Sequence, residues 1–205
     1  LVLALAAAER MLVADSGSAA AWTAEAHVVR LVDPTDVGPS LRAADQALER
    51  DSTMAEAWHF KALGLAELGD LDGALAAWRR CVALNPAYKQ GVAFLSLAHL
   101  WGWSYDSAAR WADSAVALDP NYLLGRTVAG TVAIERGDTV RSAAELAAAR
   151  RISTDVELAN ALGWLGLAQA RAGRRAEPVS SHVHLDDHAP ALGPGHGHGV
   201  AQMDR

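Results

Sequence analysis

The sequence predicts an all-α fold: an α-solenoid of about four to five stacked helix-turn-helix repeats, followed by an irregular C-terminal tail. Three observations predict it. Alanine makes up about a fifth of the 205 residues, while three Tyr and two Phe stand beside seven Trp; that balance favours closely packed helices over sheet. Leu84-Asn85-Pro86-Ala87-Tyr88 and Leu118-Asp119-Pro120-Asn121-Tyr122 match with Pro to Pro and Tyr to Tyr 34 residues apart, and a period of that length marks a repeat array. Between these markers, small and large apolar residues recur at helical intervals.

The 34-residue ruler divides residues 1–177 into a partial unit (1–18), four units (19–54, 55–88, 89–122 and 123–158) and an incomplete one (159–177). About ten helices follow: one orphan, four pairs and a final first helix. In the partial unit, Ala4, Ala8 and Met11 fit a second helix whose first helix is missing. The apolar run Leu1 to Ala8 competes as the tail of a signal peptide or anchor, but it lacks a basic flank and runs into Glu9-Arg10. Leu1 in place of Met predicts a piece of a longer chain. The unit from Ala19 carries Trp22, Ala26 and Val29, then Ser40, Ala44 and Ala47, with about two extra residues in its Asp33 to Pro39 turn.

The unit from Ala55 is the most regular. Trp58, Ala62 and Leu65 share one face of a first helix; Ala74, Trp78 and Cys81 share one face of a second. Small side chains let the two helices approach, and Trp rings fill the space beside them. Gly69 suits the left-handed turn that ends the first helix, Asp70 caps the second, and Pro86 stands where a helix must stop. The unit from Lys89 keeps Ser96, Ala108, Ala112, Ala115 and Pro120 in phase, with Trp103 where the turn glycine belongs. The unit from Leu123 keeps Gly130, Gly137-Asp138, Ser142, Leu146 and Ala149, with Thr154 in place of the closing Pro. A first helix is read again around Trp164.

With a large aromatic fourth, small residues eighth, twentieth and twenty-seventh, and proline thirty-second, the Ala55 unit resembles the tetratricopeptide repeat family. The resemblance implies a right-handed superhelix whose concave face, lined by the first helices, receives a partner protein or peptide. The family's lining places fall on Thr23, His27 and Arg30; on Glu56, His59 and Glu67; on Gln90, Leu97 and Trp101; on Thr127, Thr131 and Glu135; and on Asn160 and Arg171. This mixture has no single-sign field. The subfamily that grips chaperone C-terminal carboxylates uses a Lys, Asn and Arg set. The two lysines here, Lys61 and Lys89, do not fit that clamp, so this partner is excluded.

Other chemistry is sparse. A net charge of -6 with pI near 5.7 argues against nucleic acid, which needs a basic footprint. One cysteine allows neither an internal disulfide nor a thiolate metal cage, and Cys81 reads as a buried, inert thiol. No apolar run reaches the roughly 18 residues of a membrane span. No nucleophile elbow or phosphate loop is present. The aromatic turn of Trp101, Trp103, Tyr105 and Trp111 reads first as packing, second as a partner patch.

The pattern breaks at Pro178. Residues 178–205 hold five of the eight His, four Gly and three Pro and read as a disordered or non-native tail. His182, His184 and His188 are similar to the ligand run of metallo-β-lactamase-like hydrolases, but one residue is inserted before the last His and no αβ/βα sandwich surrounds it. They are weak candidates for a metal, helped by His196 and His198. The expectation is therefore a non-catalytic interaction scaffold without a cofactor. The alternatives are a docking or sensory region of a larger bacterial kinase, cyclase or transcriptional regulator and, more remotely, a metal-dependent hydrolase module in the tail.

Overall fold

The computed structural model describes residues 2–159 and 161–163. Among them stand nine helices: α1 (Val2–Ala14), α2 (Ala19–Val32), α3 (Val37–Arg50), α4 (Ala55–Glu67), α5 (Leu71–Leu84), α6 (Lys89–Trp101), α7 (Tyr105–Leu118), α8 (Leu123–Glu135) and α9 (Thr139–Ile152). Residues 155–159 are again helical, opened by a reciprocal cap: Glu157 N–H donates to Thr154 Oγ1, and Thr154 N–H donates to the Glu157 carboxylate at 2.7 Å. Helices α4, α6 and α8 begin at Ala55, Lys89 and Leu123, and α5, α7 and α9 at Leu71, Tyr105 and Thr139, in each case 34 residues apart. The period read from sequence is therefore kept at both starts of α4–α5, α6–α7 and α8–α9, whereas α2 begins 36 residues before α4, two more than the period.

The hairpins α2–α3, α4–α5, α6–α7 and α8–α9 make the most extensive helix contacts, and each second helix packs on the next first helix. First helices also touch across repeats, α2 on α4 and α6 on α8. This is the one-dimensional stacking of a solenoid. Small residues set the closeness: Ala26, Ala44, Ala62, Ala74, Cys81, Ala108, Ala112 and Ala115 are fully buried. The core cluster runs continuously from Ala26 to Val132, with Trp78 wholly enclosed. Two buried serines bond across their hairpins, Ser40 Oγ–H to Ala26 O at 2.8 Å and Ser96 Oγ–H to Ala108 O at 2.7 Å, so neither leaves an unmet polar group in the core.

The turns repeat as well. Asp70, Ser104 and Asp138 each donate their amide to the carbonyl five residues back, at 2.9 Å. The preceding residues Gly69, Trp103 and Gly137 all have positive φ (87°, 58° and 76°). These are Schellman stops, in which the left-handed residue turns the chain so that stranded carbonyls are met. Asp70 and Asp138 then cap α5 and α9. The longer α2–α3 turn is built differently. Asp33 Oδ1 accepts from Thr35 N–H at 2.9 Å, and Asp36 caps α3 through Gly38 N–H at 3.0 Å. Between units, the carboxylates of Asp15, Asp51 and Asp119 and the Asn85 amide oxygen each accept an N–H from two residues ahead.

The tryptophans divide in role. Trp78 is core. Trp22 and Trp58 are half-buried and donate their indole N–H to the carbonyls of Ser16 and Ser52, each at 2.9 Å, so they also latch a turn. In α1, Ala8 is buried, whereas Ala4 and Met11 are exposed. Only one of the three residues expected to make the contact does so, because α1 packs chiefly on the single helix α2.

Candidate partner-binding groove

Three successive first helices and the turns that precede them converge on one cleft of about 640 Å³. Helix α2 contributes Thr23, His27, Arg30 and Leu31; α4 contributes Glu56, His59, Phe60 and Leu63; α6 contributes Gln90 and Phe94. Met54 and Tyr88 enter from the residues just before α4 and α6. Because first helices recur at one register, the same face of each points the same way.

His27 is exposed and stacks on Phe60 (5.2 Å between centroids, 26°). Arg30 makes a two-pronged ion pair with Glu67, one prong at 3.1 Å, with side-chain exposures of 14% and 11%. A fork-to-fork pair of this kind cancels charge and fixes both groups. Glu56 and Gln90 are exposed at the rim. His59 lies beneath them, 4% exposed, with Phe60, Tyr88 and Phe94 edge-on at 5.0–5.5 Å.

The Trp78 indole donates to His59 Nδ1 at 3.2 Å. An indole N–H only donates, so Nδ1 must carry a lone pair and the ring proton sits on Nε2. Burial, with Arg30 and His27 nearby, lowers the His59 pKa to about 3, so the ring is neutral at ordinary pH. Burial, and secondarily the Glu56 charge, pushes the Cys81 thiol up to about 12 and raises the Tyr88 phenol. Cys81 is therefore a buried, protonated thiol, as its place in the repeat implies.

Most of the remaining expected lining residues are elsewhere. Thr23 is buried at the cleft and donates to Ala19 O. Leu97 is wholly buried, and Trp101 is 4% exposed with its ring 6.1 Å from Trp78; both belong to the core rather than to a surface. Thr127 is also buried, and Thr131 is half-buried; each hydroxyl bonds back along α8. Glu135 lines a separate hollow with Trp103, Tyr105 and Arg136. Asn160, Arg171 and the tail residues His182, His184 and His188 lie outside the described residues. Phe60, Phe94 and Tyr88 were not expected at the site. Phe60 and Phe94 stand 34 residues apart beside expected lining places, which is the signal that would have found them.

Among the described residues, no helix is long and apolar enough to cross a membrane, and no group of three or more metal-ligating side chains is gathered.

An α-solenoid of helix hairpins with a lined inner cleft defines the class of protein. Residues 55–88 match the family model of the tetratricopeptide repeat, and the helix starts of the two hairpins that follow keep its 34-residue register. Similar solved structures include MamA 41-end from Desulfovibrio magneticus RS-1, at 18% identity and a TM-score of 0.58, covering 74% of this chain and 85% of that one. The APC/C hetero-tetramer Cut9-Hcn1 is similar at 20% identity and 0.68, covering 80% and 32%. A Thermobaculum terrenum O-GlcNAc transferase mutant is similar at 24% and 0.61, covering 67% and 26%. At these identities the likeness is one of fold. No curated protein matches the chain in sequence.

Proposed function

We propose that this chain is a non-catalytic scaffold that holds a peptide segment of a partner protein along the inner face formed by α2, α4 and α6. One observation carries the reading: first-helix residues of three consecutive repeats meet at a single cleft with aromatic walls and exposed polar groups at the rim. Apolar walls supply burial, and a few oriented polar groups supply register. Of the expected lining residues, His27, Arg30, Glu56, His59 and Gln90 form this site, with Glu67 holding Arg30. Thr131 and Glu135 would extend it only for a longer ligand.

The same surface would serve a docking region within a larger regulator, the alternative reading; this chain matches only 32% of the Cut9-Hcn1 chain and 26% of the O-GlcNAc transferase chain. The test is selection of a displayed random-peptide library on the full chain, followed by titration on a variant at Ala24, a cleft-lining residue of α2: Ala24→Trp fills the cleft. Selected peptides should bind the variant at least about tenfold more weakly, a loss of about 1.4 kcal/mol. Undiminished binding would place the peptide site elsewhere.

A further inference from the structure

The cleft is not chemically neutral. Arg30 is cancelled by Glu67, and His59 is held uncharged by its place in the core. Of the two carboxylates at the cleft, Glu67 is spent on Arg30, whereas Glu56 is exposed at the rim without an ion-pair partner among the described residues. Glu56 lies close enough to Tyr88 to act on its phenol, and Tyr88 is in ring contact with His59 at 5.5 Å. Carboxylate, phenol and imidazole line the same cleft.

His59 adds direction. Trp78 occupies Nδ1 from the core side. The Nε2–H belongs to a ring that lines the cleft and has no acceptor among the described residues. It is a donor on a side chain held within a packed aromatic cluster. A carboxylate ligand placed there would meet Glu56 and lose its water for a single neutral donor, whereas an amide carbonyl would gain a bond without bringing charge.

Resting on the groove reading, we infer that the partner is a peptide carrying a basic side chain next to an apolar one. The ammonium or guanidinium pairs with Glu56 over the aromatic wall, the apolar side chain enters between Phe60 and Phe94, and a main-chain carbonyl accepts from His59 Nε2–H. The net charge of -6 also favours approach of a basic segment.

The test uses three labelled, end-blocked nonapeptides with a Gly/Ser background and a central Lys-Leu, Gln-Leu or Glu-Leu pair. Their binding to the full chain is followed by fluorescence anisotropy. The Lys-Leu peptide should bind about tenfold or more tightly than the Glu-Leu peptide at low ionic strength, and the gap should narrow in salt. Glu56→Lys, an exposed change, should invert the order. His59→Asn keeps an acceptor near the Nδ1 position for Trp78 but no longer reaches into the cleft. It should weaken the Lys-Leu and Gln-Leu peptides about equally, by roughly tenfold, with helix content unchanged by circular dichroism. Equal or tighter binding of Glu-Leu, if lost in Ala24→Trp, would overturn the basic-peptide inference while leaving the groove reading standing. Unchanged binding in His59→Asn would overturn the carbonyl contact. Failure of all three peptides to bind would count against the groove itself.

Discussion

Trp103 holds a conformation that its two counterparts entrust to glycine. Its φ of 58° matches the place of Gly69 and Gly137 in the repeat, and its ring is 50% exposed, edge-on to Tyr105 at 6.2 Å. A bulky residue in the left-handed region costs about 1 kcal/mol or more, and the exposed ring returns only part of that. Trp103→Gly should therefore raise the melting free energy by up to about 1 kcal/mol in thermal denaturation; a lower melting temperature would show that the ring contacts outweigh the strain. The place of this residue was legible, because the 34-residue ruler puts it where a turn glycine belongs.

His59 illustrates what was not legible. Its position in the repeat marked it for the groove, but its tautomer follows from Trp78, 19 residues away on another helix, and its neutrality from burial. Burial lowers its folded pKa to about 3 from an unfolded 6.5. Below pH 6.5 the unfolded chain takes up a proton that the folded chain refuses. Stability is thus fully present above pH 6.5 and falls as pH drops toward 3, by up to about 1.4 kcal/mol per unit. Urea titrations at pH 7 and pH 5 should show this loss in the parent and a much smaller one in His59→Asn. Parallel behaviour of the two chains would mean that His59 titrates normally.

At the scale of helices, contacts depend on what is small. Ala62 and Ala108 are wholly buried where the two helices of a hairpin touch. Ala62→Trp or Ala108→Trp forces the helices apart and should cost about 3 kcal/mol or more, read as a loss of cooperative melting. Helicity and melting like the parent in either variant would place these residues outside the contact. A subtler case is Gly91, where an added Cβ would stand 2.7 Å from Cys81 Sγ; α6 sits on α5 as closely as it does because position 91 has no side chain. Helix starts, caps and small contact positions were readable because each is set within a few residues of itself. The complete burial of α6 from Gly91 to Trp101 was not, since Leu97 and Trp101 occupy places that line a groove in the related pattern. Neighbours on both sides of α6, including α8, turn those places inward.

Over the described array, burial is concentrated at the middle. Eleven consecutive residues of α6 are buried, against Ser142 and Ala149 alone in α9 and Ala8 alone in α1. In a one-dimensional stack each unit is held by its neighbours, so opening free energies should differ along the chain. Amide hydrogen exchange should be slowest in α4 to α7 and fastest in α1 and α9. Equal protection throughout would show a single cooperative unit instead.

Local chemistry let the sequence by itself determine the repeat: its 34-residue period, its turns, its caps and the alanines on which helices meet. These depend on residues close along the chain, where one side chain has one job. The cleft was decided by tertiary structure. Whether a first-helix residue faces a partner or the next repeat depends on how hairpins stack, and charge and protonation there depend on groups 19 to 37 residues apart, Trp78 on His59 and Glu67 on Arg30.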